Sequence, residues 1–100
     1  MAENEEVVKT KIKEYIDRSP YPYANWYVGA ASDPESRLFN DHKVGKYWWI
    51  YKECLSSDAA RRVEDYFLNN LGTDGGPGGG DENSTFVYAY HKTSETNEEG

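Results

Sequence analysis

Tyr27 and Arg37 are the two side chains whose types and spacing first suggest chemistry. The run from Trp26 to His42 reads as a strand that stops at Gly29, turns, and starts a helix. Arg37 falls on the second turn of that helix, so a tyrosine near the strand end and an arginine on the next helix can face one point. An arginine so placed can pair with phosphate oxygens through two parallel hydrogen bonds, which lysine does less well. A tyrosine there can serve as a general base, because a phenol pKa of roughly 10 falls in a cationic site. Each residue also has an ordinary role. Tyr27 is one of nine tyrosines and can simply pack in a core, and Arg37 can pair with Asp33 or Asp41 on its own helix.

These side chains need elements to hold them. Residues Glu5 to Arg18 carry Val8, Ile12, Tyr15 and Ile16 at helical spacing, with Asn4 as N-cap and two acids behind it. Ser19-Pro20-Tyr21-Pro22 ends that helix, since proline pulls the residue before it out of helical geometry. Asn25 to Ala31 is a short strand. Ser32 or Asp33 caps the next helix, Pro34 suits its first turn, and the helix ends near Gly45. Lys46 to Leu55, rich in Tyr, Trp and Ile, reads as a second strand. Ser56 or Ser57 caps a third helix, with Ala60, Val63, Phe67 and Leu71 along its apolar face. Gly72 to Ser84 is a glycine-rich acidic loop, read as a flexible link, and Thr85 to Lys92 is the last strand. The fold class expected is α+β, with three short strands in one small antiparallel sheet flanked by helices. Residues 1–92 make a single domain, and residues 93–100 are a disordered acidic tail without core residues.

The segment Tyr27-Val28-Gly29, with Arg37 eight residues after the glycine, resembles the second half of the signature of the GIY-YIG endonucleases. The helix Ala59-Ala60-Arg61-Arg62-Val63-Glu64-Asp65-Tyr66-Phe67-Leu68 is similar to the one on which that family carries its single metal-binding glutamate, and Glu64 is the matching acid. Ala60, Phe67 and Leu68 flank Glu64 on the helix, which places it at the edge of the buried face. The first half of the signature, a Gly-Ile-Tyr strand ahead of Tyr27, is missing. Val87-Tyr88-Ala89-Tyr90 resembles it, so a permuted arrangement is expected, in which the last strand pairs with Asn25–Ala31. The resemblance implies metal-dependent endonuclease cleavage of DNA or RNA. It implies Glu64 on Mg²⁺ or Mn²⁺, Arg37 on phosphate, Tyr27 as base, Tyr88 as a positioning hydroxyl and His42 orienting the nucleophile. His42 near a helix C-terminus is also favoured there by the dipole, and Tyr88 by core packing. The asparagine that the family carries after the metal-site helix has no match by spacing in Asn69, Asn70 or Asn83.

Composition bounds these readings. The net charge is −7, which opposes a general nucleic-acid binder. Most of the net negative charge lies beyond Thr73, while Trp26 to Leu71 is near neutral. Nucleic-acid affinity should therefore be weak and salt-dependent. The single cysteine, Cys54, excludes an intrachain disulfide, suits a reducing cytoplasmic setting, and reads as a buried small residue. No apolar stretch is long enough for a membrane span, and the acidic start does not resemble a signal peptide. Two histidines and one cysteine do not make a zinc site. The glycine-rich loop lacks the Gly-Lys-Ser/Thr ending of a P-loop. The alternative to an enzyme is a catalytically inactive domain of the same fold that binds a protein partner through exposed aromatics such as Tyr21, Tyr23, Trp48 and Trp49. A third reading is a nucleic-acid mimic acting through the acidic tail. A nuclease would bring Tyr27, Arg37, Glu64 and Tyr88 onto one concave surface; a binding module need not.

Overall fold

The computed structural model describes residues 1–76 and 81–99. Helix α1 spans Glu5–Arg18, and the Asn4 side chain caps it by accepting from the Glu6 amide at 2.8 Å. Its buried residues Val8, Ile12 and Ile16 repeat every four positions, so one stripe faces the core. Strand β1 is Trp26–Ala31, β2 is Trp49–Glu53 and β3 is Phe86–His91. Helix α2 spans Ser57–Tyr66, and the Ser56 hydroxyl accepts from the Ala59 amide at its start. It runs on as a π-helical turn, Phe67–Leu71, closed by Gly72 at φ 78°, where a left-handed residue ends the helix without a side-chain penalty.

The fold is α+β with one three-stranded antiparallel sheet, and β3 lies between β1 and β2. The expected pairing of the last strand with Asn25–Ala31 is present. Tyr27 lies opposite Tyr90, and Gly29 opposite Tyr88. Side chains alternate across a strand, so the sheet has two different faces. Trp26, Val28, Val87 and Ala89 point to α1 and α2 and join Ile12, Ile16, Val63 and Phe67 in the main core. Truncating a fully buried side chain such as Phe67 there costs about 3–5 kcal/mol. The opposite face carries Tyr27, Tyr88 and Tyr90 under Leu38, with Trp49 and Tyr51 beside them. β1 is thus buried on both faces despite lying at the sheet edge.

Three local expectations change. The second strand is shorter than Lys46–Leu55, because Trp48 takes φ 64°, a left-handed conformation rare for a bulky aromatic, and turns the chain before Trp49. Its indole meets Tyr15, Tyr21 and Trp26 edge-on, which holds it there. The helix after β1 is a π-helical turn over Ser36–Asp41, with the Ser36 amide donating to Asp33 Oδ1 at 3.1 Å. The start of the glycine-rich loop is docked rather than free. The Asp74 amide donates to the Trp26 carbonyl, and the Val28 amide to the Asp74 carbonyl, which covers the open edge of β1. Pro77 to Gly80, the middle of that loop, lie outside the described residues.

The tail expected to be mobile makes contacts across the tyrosine face: the Asn97 amide donates to the His42 carbonyl at 2.7 Å. Cys54 is buried, and burial pushes its thiol up to about 11. Tyr21, Tyr23 and Trp48 pack against the main core and Trp49 against the tyrosine cluster, each of them half-buried. Among the described residues no helix is long and apolar enough to cross a membrane.

Candidate functional site

The π-helical turn decides the geometry of Arg37 and His42. In an α-helix two residues five apart point about 140° away from each other. Here the His42 amide donates to the Arg37 carbonyl at 2.8 Å, the i→i+5 bond of a π-turn, and both side chains come to one side. Arg37 Nη2 lies 3.5 Å from His42 Nε2, and Arg37 Nη1 pairs with Asp41 at 2.8 Å. Arg37 thus keeps the ordinary partner on its helix and still reaches the site.

Tyr27, Gly29, Ala30, Arg37, Glu64, Gly76 and Tyr88 line one pocket of about 110 Å³. That volume holds a few waters or one phosphoryl group. β1 supplies Tyr27, β3 Tyr88, the π-turn Arg37 and α2 Glu64, whose helix flanks β1. Four of the five residues singled out in the sequence therefore meet. His42 does not line the pocket; it stands behind Tyr88, fully buried, with Nε2 at 2.8 Å from the Tyr88 hydroxyl. Asn69, Asn70 and Asn83 are exposed, and none of them lines the pocket.

Glu64 is buried, and burial raises its carboxyl to about 7, with Asp65 adding to the rise and Arg61 opposing it. Among the described residues no hydrogen bond contributes to holding the carboxylate charged. Burial raises the Tyr27 pKa more than the Arg37 charge lowers it, so it stays a neutral phenol. Tyr88 is raised too, first by burial. His42 is lowered, first by burial, and is neutral near pH 7.

Tyr90 is a site-supporting residue that the motif comparison passed over. It is fully buried, stacks on Tyr27 with ring centroids 5.2 Å apart, and places its hydroxyl 3.2 Å from His42 Nδ1 and 3.0 Å from Glu98 Oε2. Strand alternation pointed to it, since residues two apart share a face. Nothing in the sequence singles out Asn97, whose main-chain carbonyl sits 2.7 Å from His42 Nδ1. Among the described residues no three carboxylates, histidines or cysteines cluster to hold a metal ion. No family model, curated protein or solved structure matches this chain.

Proposed function

We propose that this chain is a metal-dependent phosphodiesterase acting on DNA or RNA, of GIY-YIG type with its first signature strand moved to the C-terminal end. The observation that carries the proposal is the meeting of Tyr27, Arg37, Glu64 and Tyr88 around one small pocket. The central place of β3, paired with β1, supports the permuted reading.

The residues present fit a single Mg²⁺ or Mn²⁺. A buried carboxyl with no hydrogen bond to it among the described residues faces a polar pocket, and Mg²⁺ is commonly held by one or two carboxylates while keeping several waters. Glu64 would hold it, and the ion would supply charge stabilisation at the phosphate and its leaving oxygen. Arg37 would bind the phosphate oxygens, and a single cation among the described residues of the pocket wall would give only weak, salt-dependent affinity. The Tyr88 oxygen would take a proton from the attacking water while its own proton passes to His42 Nε2 along the 2.8 Å hydrogen bond. The water oxygen bonds to phosphorus as the ester P–O bond breaks. Tyr27, stacked on Tyr90 at the pocket wall, would position the attacking water.

The test is incubation with supercoiled plasmid, single-stranded DNA and structured RNA at low salt with Mg²⁺ or Mn²⁺. Cleavage by the wild type, lost in both Arg37→Ala and Glu64→Ala, is the expected result. No cleavage of any substrate by folded protein would overturn the enzyme reading. The second reading, an inactive domain of this fold that binds a protein, is favoured by one observation: no asparagine reaches the pocket.

A further inference from the structure

Four groups face the two ring nitrogens of one imidazole, and another stands one step behind them. His42 Nδ1 faces the Asn97 carbonyl at 2.7 Å and the Tyr90 hydroxyl at 3.2 Å; Nε2 faces the Tyr88 hydroxyl at 2.8 Å and Arg37 Nη2 at 3.5 Å. Behind Tyr90 stands the Glu98 carboxylate, which accepts from the Tyr90 hydroxyl at 3.0 Å. A carbonyl oxygen can only accept, so the nitrogen facing Asn97 must carry the ring proton. Tyr90 has a better acceptor in Glu98 and sends its proton there. In the neutral ring Nε2 is then the bare nitrogen, and it must accept from Tyr88. Tyr88 spends its single proton on His42, and its lone pairs are left toward the pocket and Arg37.

We infer that the C-terminal turn around Asn97 and Glu98 is a working part of the site: the Asn97 main-chain carbonyl fixes His42 as the Nδ1–H tautomer and so sets the direction of the Tyr88 hydrogen bond. The clasp is closed from both sides, because the Asn97 amide donates to the carbonyl of His42 itself at 2.7 Å. It is made by backbone, so the identity of side chain 97 is unimportant to it. Tail and ring are 55 positions apart in the chain, which makes the contact a tertiary one that folding must complete. Asn97 and Glu98 touch neither the pocket nor a substrate; they are positioning residues. The tautomer follows from the hydrogen-bond geometry alone, and only its consequence for turnover rests on the proposed phosphodiesterase reading.

The experiment is long-range ¹H–¹⁵N correlation on ¹⁵N-histidine-labelled full-length protein near pH 7.5, with His42→Gln used to assign the signal. The expected spectrum shows His42 with a protonated Nδ1 and a pyridine-like Nε2. A protonated Nε2 in the intact chain would overturn the inference at once. Asn97→Pro removes the amide that anchors the clasp, and ending the chain at Lys92 removes the clasp altogether. Either should shift His42 to mixed tautomers, whereas Asn97→Ala should leave the spectrum as it was. If the shortened chain does not fold, Asn97→Pro decides. An unchanged tautomer in a folded variant that lacks the clasp would show that the tail does not fix the ring. In a cleavage assay Asn97→Pro should lower kcat about 10- to 100-fold with KM little changed, the usual cost of losing a group that orients a reacting one. The tautomer spectrum stands whether or not cleavage is seen, so failure of this inference and failure of the nuclease reading are told apart.

Discussion

The Tyr88 ring lies directly across Gly29, its cross-strand neighbour. A Cβ built on Gly29 would stand 2.5 Å from the Tyr88 hydroxyl oxygen and 2.6 Å from the ring carbon that bears it. The ring is buried, and the small pocket beside it is the one space it borders among the described residues. Gly29→Ala should therefore destabilise by about 1–3 kcal/mol, as overpacking does, and should stretch or break the Tyr88–His42 hydrogen bond. Urea denaturation of the single and double variants checks it. In a Tyr88→Ala background the added methyl has room, and its cost should fall by at least half; equal cost in both backgrounds would mean that the contact is not what constrains Gly29.

Glu64 makes stability depend on pH in a direction opposite to that of a paired carboxylate. Its folded pKa, about 7, lies above the ordinary carboxyl value of 4.5, so the folded state binds its proton more tightly. The contribution is fully present below pH 4.5 and is lost as pH rises through about 7. At about 1.4 kcal/mol per pKa unit the full loss is about 3.5 kcal/mol, part of which is screened by solvent reaching the carboxyl from the pocket. Glu64→Gln should accordingly match the wild type at pH 4.5 and exceed it by about 2–3 kcal/mol at pH 8. Thermal melts across that range read the difference. Added Mg²⁺ should raise the wild-type Tm at pH 8 and leave the variant unmoved, since binding to the folded state alone is stabilising.

Side-chain periodicity made the scaffold legible. Val8, Ile12 and Ile16 announced the buried stripe of α1, Asn4 and Ser56 announced their caps, and Phe86 to His91 lie within the expected last strand. Glu64, expected at the rim of the apolar face, is where its neighbours on the helix put it. What stayed hidden depends on backbone. A π-turn and an α-turn place the same residues in the same order, and only the i→i+5 bond from His42 to Arg37 brings those side chains together. Trp48 at φ 64° is held by distant aromatics rather than by local preference. The docking of Asp74 on β1 and of Asn97 on His42 is made by main-chain groups, which every residue has, so no residue type signals them.

Arg37 should matter to turnover far more than to stability. Its pair with Asp41 leaves the two side chains 37% and 39% exposed, and a pair so hydrated contributes no more than about 1 kcal/mol. Its guanidinium on the pocket wall is the group that would meet phosphate charge. Arg37→Ala should cost about 10²–10³ in rate, the range seen when one preorganised donor is removed. Arg37→Lys should recover little of it, because a point charge cannot make two parallel hydrogen bonds. Cleavage rates beside thermal melts separate the effects. A Tm loss as large as that of a core truncation would instead make Arg37 a structural residue.

Gly75 and Gly76 follow one another in the chain yet should fail in different ways. A Cβ at Gly75 would lie 2.6 Å from the Val28 carbonyl oxygen, a backbone atom fixed in β1, and 2.7 Å from Leu68. Neither the strand nor the docked loop can give there, so Gly75→Ala should lift the loop off the sheet edge. That breaks the 2.9 Å bond from the Val28 amide to the Asp74 carbonyl and exposes the edge of β1. A Cβ at Gly76 would instead stand 2.8 Å from the Tyr27 hydroxyl, at the pocket wall. Gly76→Ala should tilt that ring against Tyr90 and narrow the pocket while the strand pairing holds. Hydrogen exchange at the Val28 amide distinguishes them: it should quicken at least tenfold in Gly75→Ala and stay near wild type in Gly76→Ala, whose loss should appear in cleavage rate. Faster exchange in Gly76→Ala than in Gly75→Ala would mean that the loop is anchored through Tyr27 rather than through the backbone of β1.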